Sequence, residues 1–118
     1  MPSRFEKYTV TDDSSIVLDV LIGEAQPGGT TVFLGTNEIA HTEPGKSGMN
    51  VKGLDLGKGA NLRGKLLAIS TDVLDLRETD KASVTIVLHD GPVETNVTQS
   101  KDGSPFTSVN FLTVIEFI

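Results

Sequence analysis

A candidate phosphate-binding loop lies at residues 40–47, where the sequence reads AHTEPGKS. In such a loop the backbone N–H groups hold the phosphates, Lys46 contacts the outer phosphates and the Ser47 hydroxyl binds Mg²⁺. The chemistry also needs a helix that begins at the Gly-Lys-Ser, because the positive end of that helix faces the phosphate. Gly48 and Gly53 frame a short strand-like run instead. The sequence therefore predicts a surface loop with a chance match.

Four acidic residues within nine positions are the best candidates for metal ligands: Asp72, Asp75, Glu78 and Asp80. Calcium takes about six to eight oxygen ligands, several of them from carboxylates. The spacing is not that of an EF-hand, but the loops of a β-sheet protein can bring distant acids together. The segment predicts either a Ca²⁺ site or a solvated acidic face, and no other cofactor is expected.

Groups suited to nucleophilic or acid–base catalysis are scarce. The chain has no Cys and no Gly-x-Ser-x-Gly elbow, and His41 and His89 are far apart in the sequence. The 16 acidic residues could include the carboxylate pair of a hydrolase with dispersed carboxylates. Without Trp and with one Tyr, however, little is present to stack on sugars. No catalytic residue is predicted, and the hydrolase is the least favoured alternative.

Charge and composition exclude several classes of partner. Lys and Arg number 10 against 16 Asp and Glu, which gives a net charge of −6. Nucleic acids and anionic membrane surfaces both bind basic patches, so neither is expected as a partner. No apolar run approaches the ~20 residues of a membrane-spanning helix. The acidic balance is typical of a soluble protein.

The N-terminal residues and the cysteine content indicate a compartment. Residues 1–8 are charged and lack the apolar stretch of a signal peptide. Small secreted domains often depend on disulfides, which a chain without Cys cannot form. We expect a cytoplasmic protein, and an extracellular one stays open if a leader has been removed.

Short β-strands are the elements that must position these groups. Runs rich in Val, Ile, Thr and Phe alternate with turns rich in Gly, Pro, Asp and Asn. The clearest period-2 run is 15–22, and Asp90-Gly91 between two such runs is typical of a hairpin. Strands are expected at 5–10, 15–22, 30–34, 38–40, 62–70, 83–89, 93–98 and 108–118.

These strands predict one domain over residues 1–118, an all-β antiparallel two-sheet β-sandwich of jelly-roll or immunoglobulin-like type with about seven to nine strands. Residues 41–61 hold five glycines and predict a long loop, with a short strand near 51–56. The expected core consists of Ile16, Leu18, Val20, Ile22, Val32, Leu34, Leu66, Ala68, Val84, Ile86, Leu88, Phe111, Ile115 and Phe117.

The last strand, 108–118, is apolar on both faces, with Phe111 on one and Leu112, Val114 and Ile118 on the other. Such a strand is either central and covered on both faces or buried at a subunit interface, for which these four residues are the candidates. We therefore predict a non-enzymatic interaction or assembly module with a protein partner or self-association. The alternative is a small-ligand module that binds carbohydrate or Ca²⁺ through its loops.

Overall fold

The computed structural model describes residues 3–23, 27–43, 50–74, 81–89, 94–102 and 108–118. Within these ranges the chain forms nine β-strands and one helix of four residues. The strands build two mostly antiparallel sheets that pack together, so the predicted β-sandwich is confirmed. The elements are β1 (Ser3–Tyr8), β2 (Ser15–Ile22), β3 (Gly28–Leu34), β4 (Asn37–His41), β5 (Val51–Lys58), α1 (Gly59–Leu62), β6 (Leu66–Leu74), β7 (Lys81–His89), β8 (Thr95–Asp102) and β9 (Ser108–Phe117).

The two sheets differ in width. Among the described strands, sheet I has five in the order β1-β9-β6-β3-β4, and sheet II has four in the order β5-β2-β7-β8. Only β3–β4 and β7–β8 in this part of the chain are consecutive strands that pair with each other. The first strand, β1, runs parallel to β9, whereas the other paired strands are antiparallel. Most pairing therefore joins segments that are distant in the sequence.

Alternating apolar side chains fill the space between the sheets. In β2, Ile16, Leu18 and Val20 are fully buried, and in β9 the same holds for Phe111 and Phe117. The Phe117 ring meets the Tyr8 ring edge-on, with centroids 6.2 Å apart. This pattern confirms most of the expected core, because one face of each strand must leave water for the sandwich to be stable.

Strand β6 differs from the prediction in both its start and its buried face. Residues 62–65 form the end of α1 and a turn in which Gly64 has φ +86°, so the strand begins at Leu66. Leu67 and Ile69 are buried, whereas Leu66 is 46% exposed and Ala68 lies on the outer face. The expected core positions of Leu66 and Ala68 are therefore wrong. Leu66 and Leu67 are adjacent and equally apolar, so the local sequence pattern does not indicate which of them faces the core.

Buried polar side chains form hydrogen bonds, both between the two sheets and within sheet I. The Gln99 amide of β8 donates hydrogen bonds to the Leu112 carbonyl (3.0 Å) and to the Thr113 hydroxyl (2.8 Å) of β9. The hydroxyls of Thr30 and Thr71 bond to each other at 3.0 Å. An unpaired buried polar group costs about 1–3 kcal/mol, so both sets of bonds offset the cost of burial. The Gln99 bonds also hold β8 over β9.

The Gly-rich segment 41–61 is more regular than expected in its described residues, 41–43 and 50–61. Its second half contains β5, eight residues long, followed directly by α1. Two register shifts between β2 and β5 leave bulges, and Gly53 and Gly57 have φ of +66° and +102° there. Gly53 and Gly57, two of the five glycines expected in a loop, thus belong to a bulged strand, where positive φ favours glycine.

Candidate functional site

Apolar side chains form a row across the outer face of sheet I. Strand pairing places Phe5 beside Val114, Val114 beside Ala68, and Ala68 beside Phe33. Phe5 is 59% exposed and Phe33 is 37% exposed. Leu112 lies next to the row on the same face, as does Leu66. We call these six residues the apolar patch: Phe5, Phe33, Leu66, Ala68, Leu112 and Val114.

The exposed area of the apolar patch indicates what kind of interface it can form. A large aromatic side chain has a surface of about 150–250 Å². On that scale the exposed parts of the six side chains add up to roughly 300–400 Å² of apolar surface. That area matches the largest patch of a typical monomer, and a stable interface needs about 800 Å² per partner. Lys7 of β1 and Glu116 of β9 are neighbours in the strand register at one border of the patch. The patch can therefore form the apolar centre of an interface with a polar rim.

The structure divides the four interface candidates between two faces. Phe111 is 1% exposed and points into the core, so it is not available to a partner. Leu112 and Val114 are half-buried on the outer face and belong to the apolar patch. Ile118 is 45% exposed beyond the end of β9, where its backbone pairs with Tyr8 and Val10. β9 itself is central within sheet I, between β1 and β6.

A polar groove adjoins the apolar patch on the same face of sheet I. Its volume is about 300 Å³, and it is lined by Gly29, Thr31, His41, Thr42, Glu43 and Asp72. The pairing of β3 with β4 sets Thr31 opposite His41, and the pairing with β6 sets Gly29 opposite Asp72. At the neighbouring Gly28 a Cβ would overlap the Asp72 carbonyl oxygen. Small residues in β3 therefore allow the strands to meet closely at the floor of the groove.

Hydrogen bonds link the polar groups of the groove. The Thr31 hydroxyl and His41 Nδ1 are 2.9 Å apart, and His41 Nε2 lies 3.5 Å from Glu43 Oε1. The Asp72 carboxylate accepts a hydrogen bond of 2.7 Å from the Asn110 amide. The side chains of His41 and Glu43 are 49% and 55% exposed, so solvent weakens their ionic contact. Such a groove offers donors and acceptors to a small hydroxylated ligand.

The structure describes one of the four predicted metal ligands. Asp72 is at the edge of the polar groove, while Asp75, Glu78 and Asp80 lie outside the described residues. Within the described ranges no cluster of three or more His, Cys, Asp or Glu side chains could hold a metal ion. The Ca²⁺ site stays a prediction that depends on residues 75–80.

Sequence reasoning missed an Asp–His pair on the outer face of sheet II. His89 Nε2 and Asp19 Oδ2 are 3.0 Å apart, and both side chains are about three-quarters buried, with exposures of 27% and 25%. Asp19 Oδ1 accepts the Gly53 N–H at 2.7 Å. Asp19 thus joins three strands and holds the β5 bulge. The pair lies outside the groove described above, and its bonds connect β2 with β5 and β7.

Half of the match to a phosphate-binding loop, residues 44–47, lies beyond the described ranges. Ala40 and His41 end β4, and residues 44–47 are not among those described. Because β5 begins at Val51, three residues separate Ser47 from a strand. The helix that the phosphate chemistry requires would begin outside the described residues, so the surface loop with a chance match stays a prediction.

No protein-family model, curated protein or solved structure matches this chain. In the described part of the molecule, no helix has the length and hydropathy of a membrane span.

Proposed function

We propose that the chain is a non-enzymatic assembly module that associates with a second copy of itself through the apolar patch. The observation that supports this function is the continuous row of Phe5, Val114, Ala68 and Phe33 on an open sheet face. A two-fold contact brings the same surface of both copies together. In such a contact Lys7 of one copy can pair with Glu116 of the other at the border, which offsets part of the repulsion expected from the net charge of −6.

The Phe5→Ser/Leu66→Ser double variant tests this assembly. It removes roughly 200 Å² of apolar surface, which at about 25 cal/mol per Å² is up to about 5 kcal/mol of contact energy. We expect wild type to form dimers at high micromolar concentration, with a dissociation constant raised at least about tenfold in the variant. Light scattering after size-exclusion chromatography measures both.

The matched control is Val87→Ser, which makes a similar change on the outer face of sheet II. It should leave the dissociation constant unchanged. A wild-type chain that remains monomeric at high micromolar concentration would contradict the proposal, as would equal weakening in the control variant.

The polar groove favours a second candidate function, the binding of a small hydroxylated ligand such as a sugar. Its volume of about 300 Å³ is at the lower limit for ligand pockets. The linked Thr31 and His41 side chains can each donate or accept, which suits hydroxyl groups. The Thr31–His41 pair favours the carbohydrate alternative, because calcium needs about six to eight oxygen ligands and the groove offers only two carboxylates, those of Glu43 and Asp72.

Thermal unfolding in the presence of a panel of monosaccharides, and separately of Ca²⁺, distinguishes the two ligands. A sugar at 100 times its dissociation constant should stabilise the fold by about 2.7 kcal/mol. Thr31→Val should abolish that shift, while Thr98→Val on sheet II should keep it. The sugar reading fails if no monosaccharide shifts the transition, and a calcium site fails if millimolar Ca²⁺ has no effect.

A further inference from the structure

At one border of the sandwich, the outermost strand of sheet I is not covered by any described strand of sheet II. The Gln99 bonds to Leu112 and Thr113 place β8 over β9. β8 is the last strand of sheet II on that side, whereas sheet I continues to β1. Among the described residues, the position beside β8 and over β1 is therefore not filled by a strand. We call this position the step.

Burial along β1 agrees with this placement. Arg4 and Glu6 share the inward face of β1 with Tyr8, because alternate residues of a strand point the same way. Their side chains are nevertheless 48% and 33% exposed, and they form an ion pair with each other. At the opposite border, Ile39 and Ala40 of β4 pack against the core. The uncovered strand is thus at the β1 side.

The four sheet edges differ in how open they are to another strand. β1 carries the inward charges Arg4 and Glu6, β4 has five residues, and β5 is bulged. Each of these features discourages the addition of a strand. β8 pairs with β7 over all eight of its residues without a register shift. Its backbone groups on the outer side are therefore a regular template, and no described residue pairs with them.

We propose that the step binds one extended segment of another protein, which adds to β8 as a further strand of sheet II and lies over β1. Neighbouring strands are about 4.8 Å apart, so the step has the width of one strand. A second copy of this sandwich does not fit, because the β9 that underlies its β8 would occupy the space of β1. The partner segment must therefore be an extended arm or a terminal strand that has no second sheet packed beneath it.

The chemistry of the step specifies that segment. Its inward side chains meet Val97, Gln99 and the paired charges of Arg4 and Glu6, which favours small apolar or hydroxylated residues. Its backbone supplies the affinity through ladder hydrogen bonds with β8. The net charge of −6 favours basic residues on either side of the segment.

Amide hydrogen exchange of the free protein tests the step first. In β8, the N–H groups that bond to β7 should exchange slowly and those of the alternate residues should exchange quickly. Slow exchange of every β8 amide would show that the chain itself fills the step, and would overturn the proposal.

A peptide titration followed by NMR tests the binding itself. The probe is a peptide of about 10 residues, which is long enough to pair along β8 as one strand. It has alternating Val and Thr in its centre and two lysines at each end. We expect its binding to slow the rapidly exchanging β8 amides. The same peptide with two central prolines should bind about tenfold more weakly or worse, since proline removes ladder donors. Equal binding of both peptides, or binding that leaves β8 unchanged, would overturn the proposal.

Glu6→Trp and Lys7→Trp form a matched pair on opposite faces of β1. The first places an indole in the step and should weaken peptide binding about tenfold or more, whereas the second should not. Equal binding by the two variants would contradict the position over β1. The Phe5→Ser/Leu66→Ser variant should bind the peptide like wild type, so failure of the assembly proposal and failure of this one are distinguishable.

Discussion

Phe111→Ala is expected to lower the free energy of unfolding by about 3–5 kcal/mol. The side chain is 1% exposed and is among the largest in the core. Its removal loses the transfer energy of the ring and leaves a cavity between two sheets that cannot collapse without breaking strand pairing with β6. Because small domains have a total stability of about 5–15 kcal/mol, this variant should lose between about a fifth and all of that stability. Urea denaturation of both proteins measures the difference.

Leu112→Ala is the control, since it is the next residue of the same strand and points to the outer face. Its cost should be about 1–2 kcal/mol and clearly below that of Phe111→Ala, because the side chain is only partly buried and its removal leaves no closed cavity. Equal losses in the two variants would mean that β9 is buried on both faces in solution. That result would contradict the open outer face on which the apolar patch depends.

Gly59→Ala is expected to cost about 2–4 kcal/mol, the combined cost of overpacking and of weakened hydrogen bonds. A Cβ at this position would overlap the Thr11 carbonyl oxygen and lie 2.9 Å from the Val10 Cβ. The β1–β2 connection would have to move away from α1. It would then weaken the bonds from Gly59 N to the Ser14 carbonyl (2.9 Å) and from Arg63 to Asp12 (2.6 Å). Thermal and urea unfolding report the loss.

Gly64→Ala separates this steric effect from backbone strain. Gly64 has φ +86° and no atom within 4 Å of a Cβ placed there. Its substitution should cost only the conformational strain of about 1–2 kcal/mol. If Gly59→Ala were no more destabilising than Gly64→Ala, the close contact between α1 and the β1–β2 connection would not exist as described.

The sequence was sufficient where one strand face is clearly more apolar than the other. The predicted strand 15–22 agrees with β2 at both ends, and the inward positions of Ile16, Leu18 and Val20 are confirmed. The inward face of β9 follows in the same way from Phe111 and Phe117. Alternation is a local property of the chain, so burial of one face follows from the order of residues alone.

The candidate sites could not be derived in this way, because each depends on pairing between distant segments. Asp19 and His89 are 70 residues apart in the sequence and meet through the register of β2 with β7. The apolar patch contains Phe5 and Phe33, which no local signal connects. Thr31 and His41 join Asp72 only because β3 lies between β4 and β6.

What the amino-acid order determined by itself is the two-layer sandwich of short strands and the inward residues of β2, β7 and β9. The tertiary structure decided which face of β6 is buried, that β1 runs parallel to β9, and that sheet I is wider than sheet II. Leu66 and Leu67 show the physical reason. Two identical side chains have the same transfer energy, so only the neighbouring strands determine which of them leaves water.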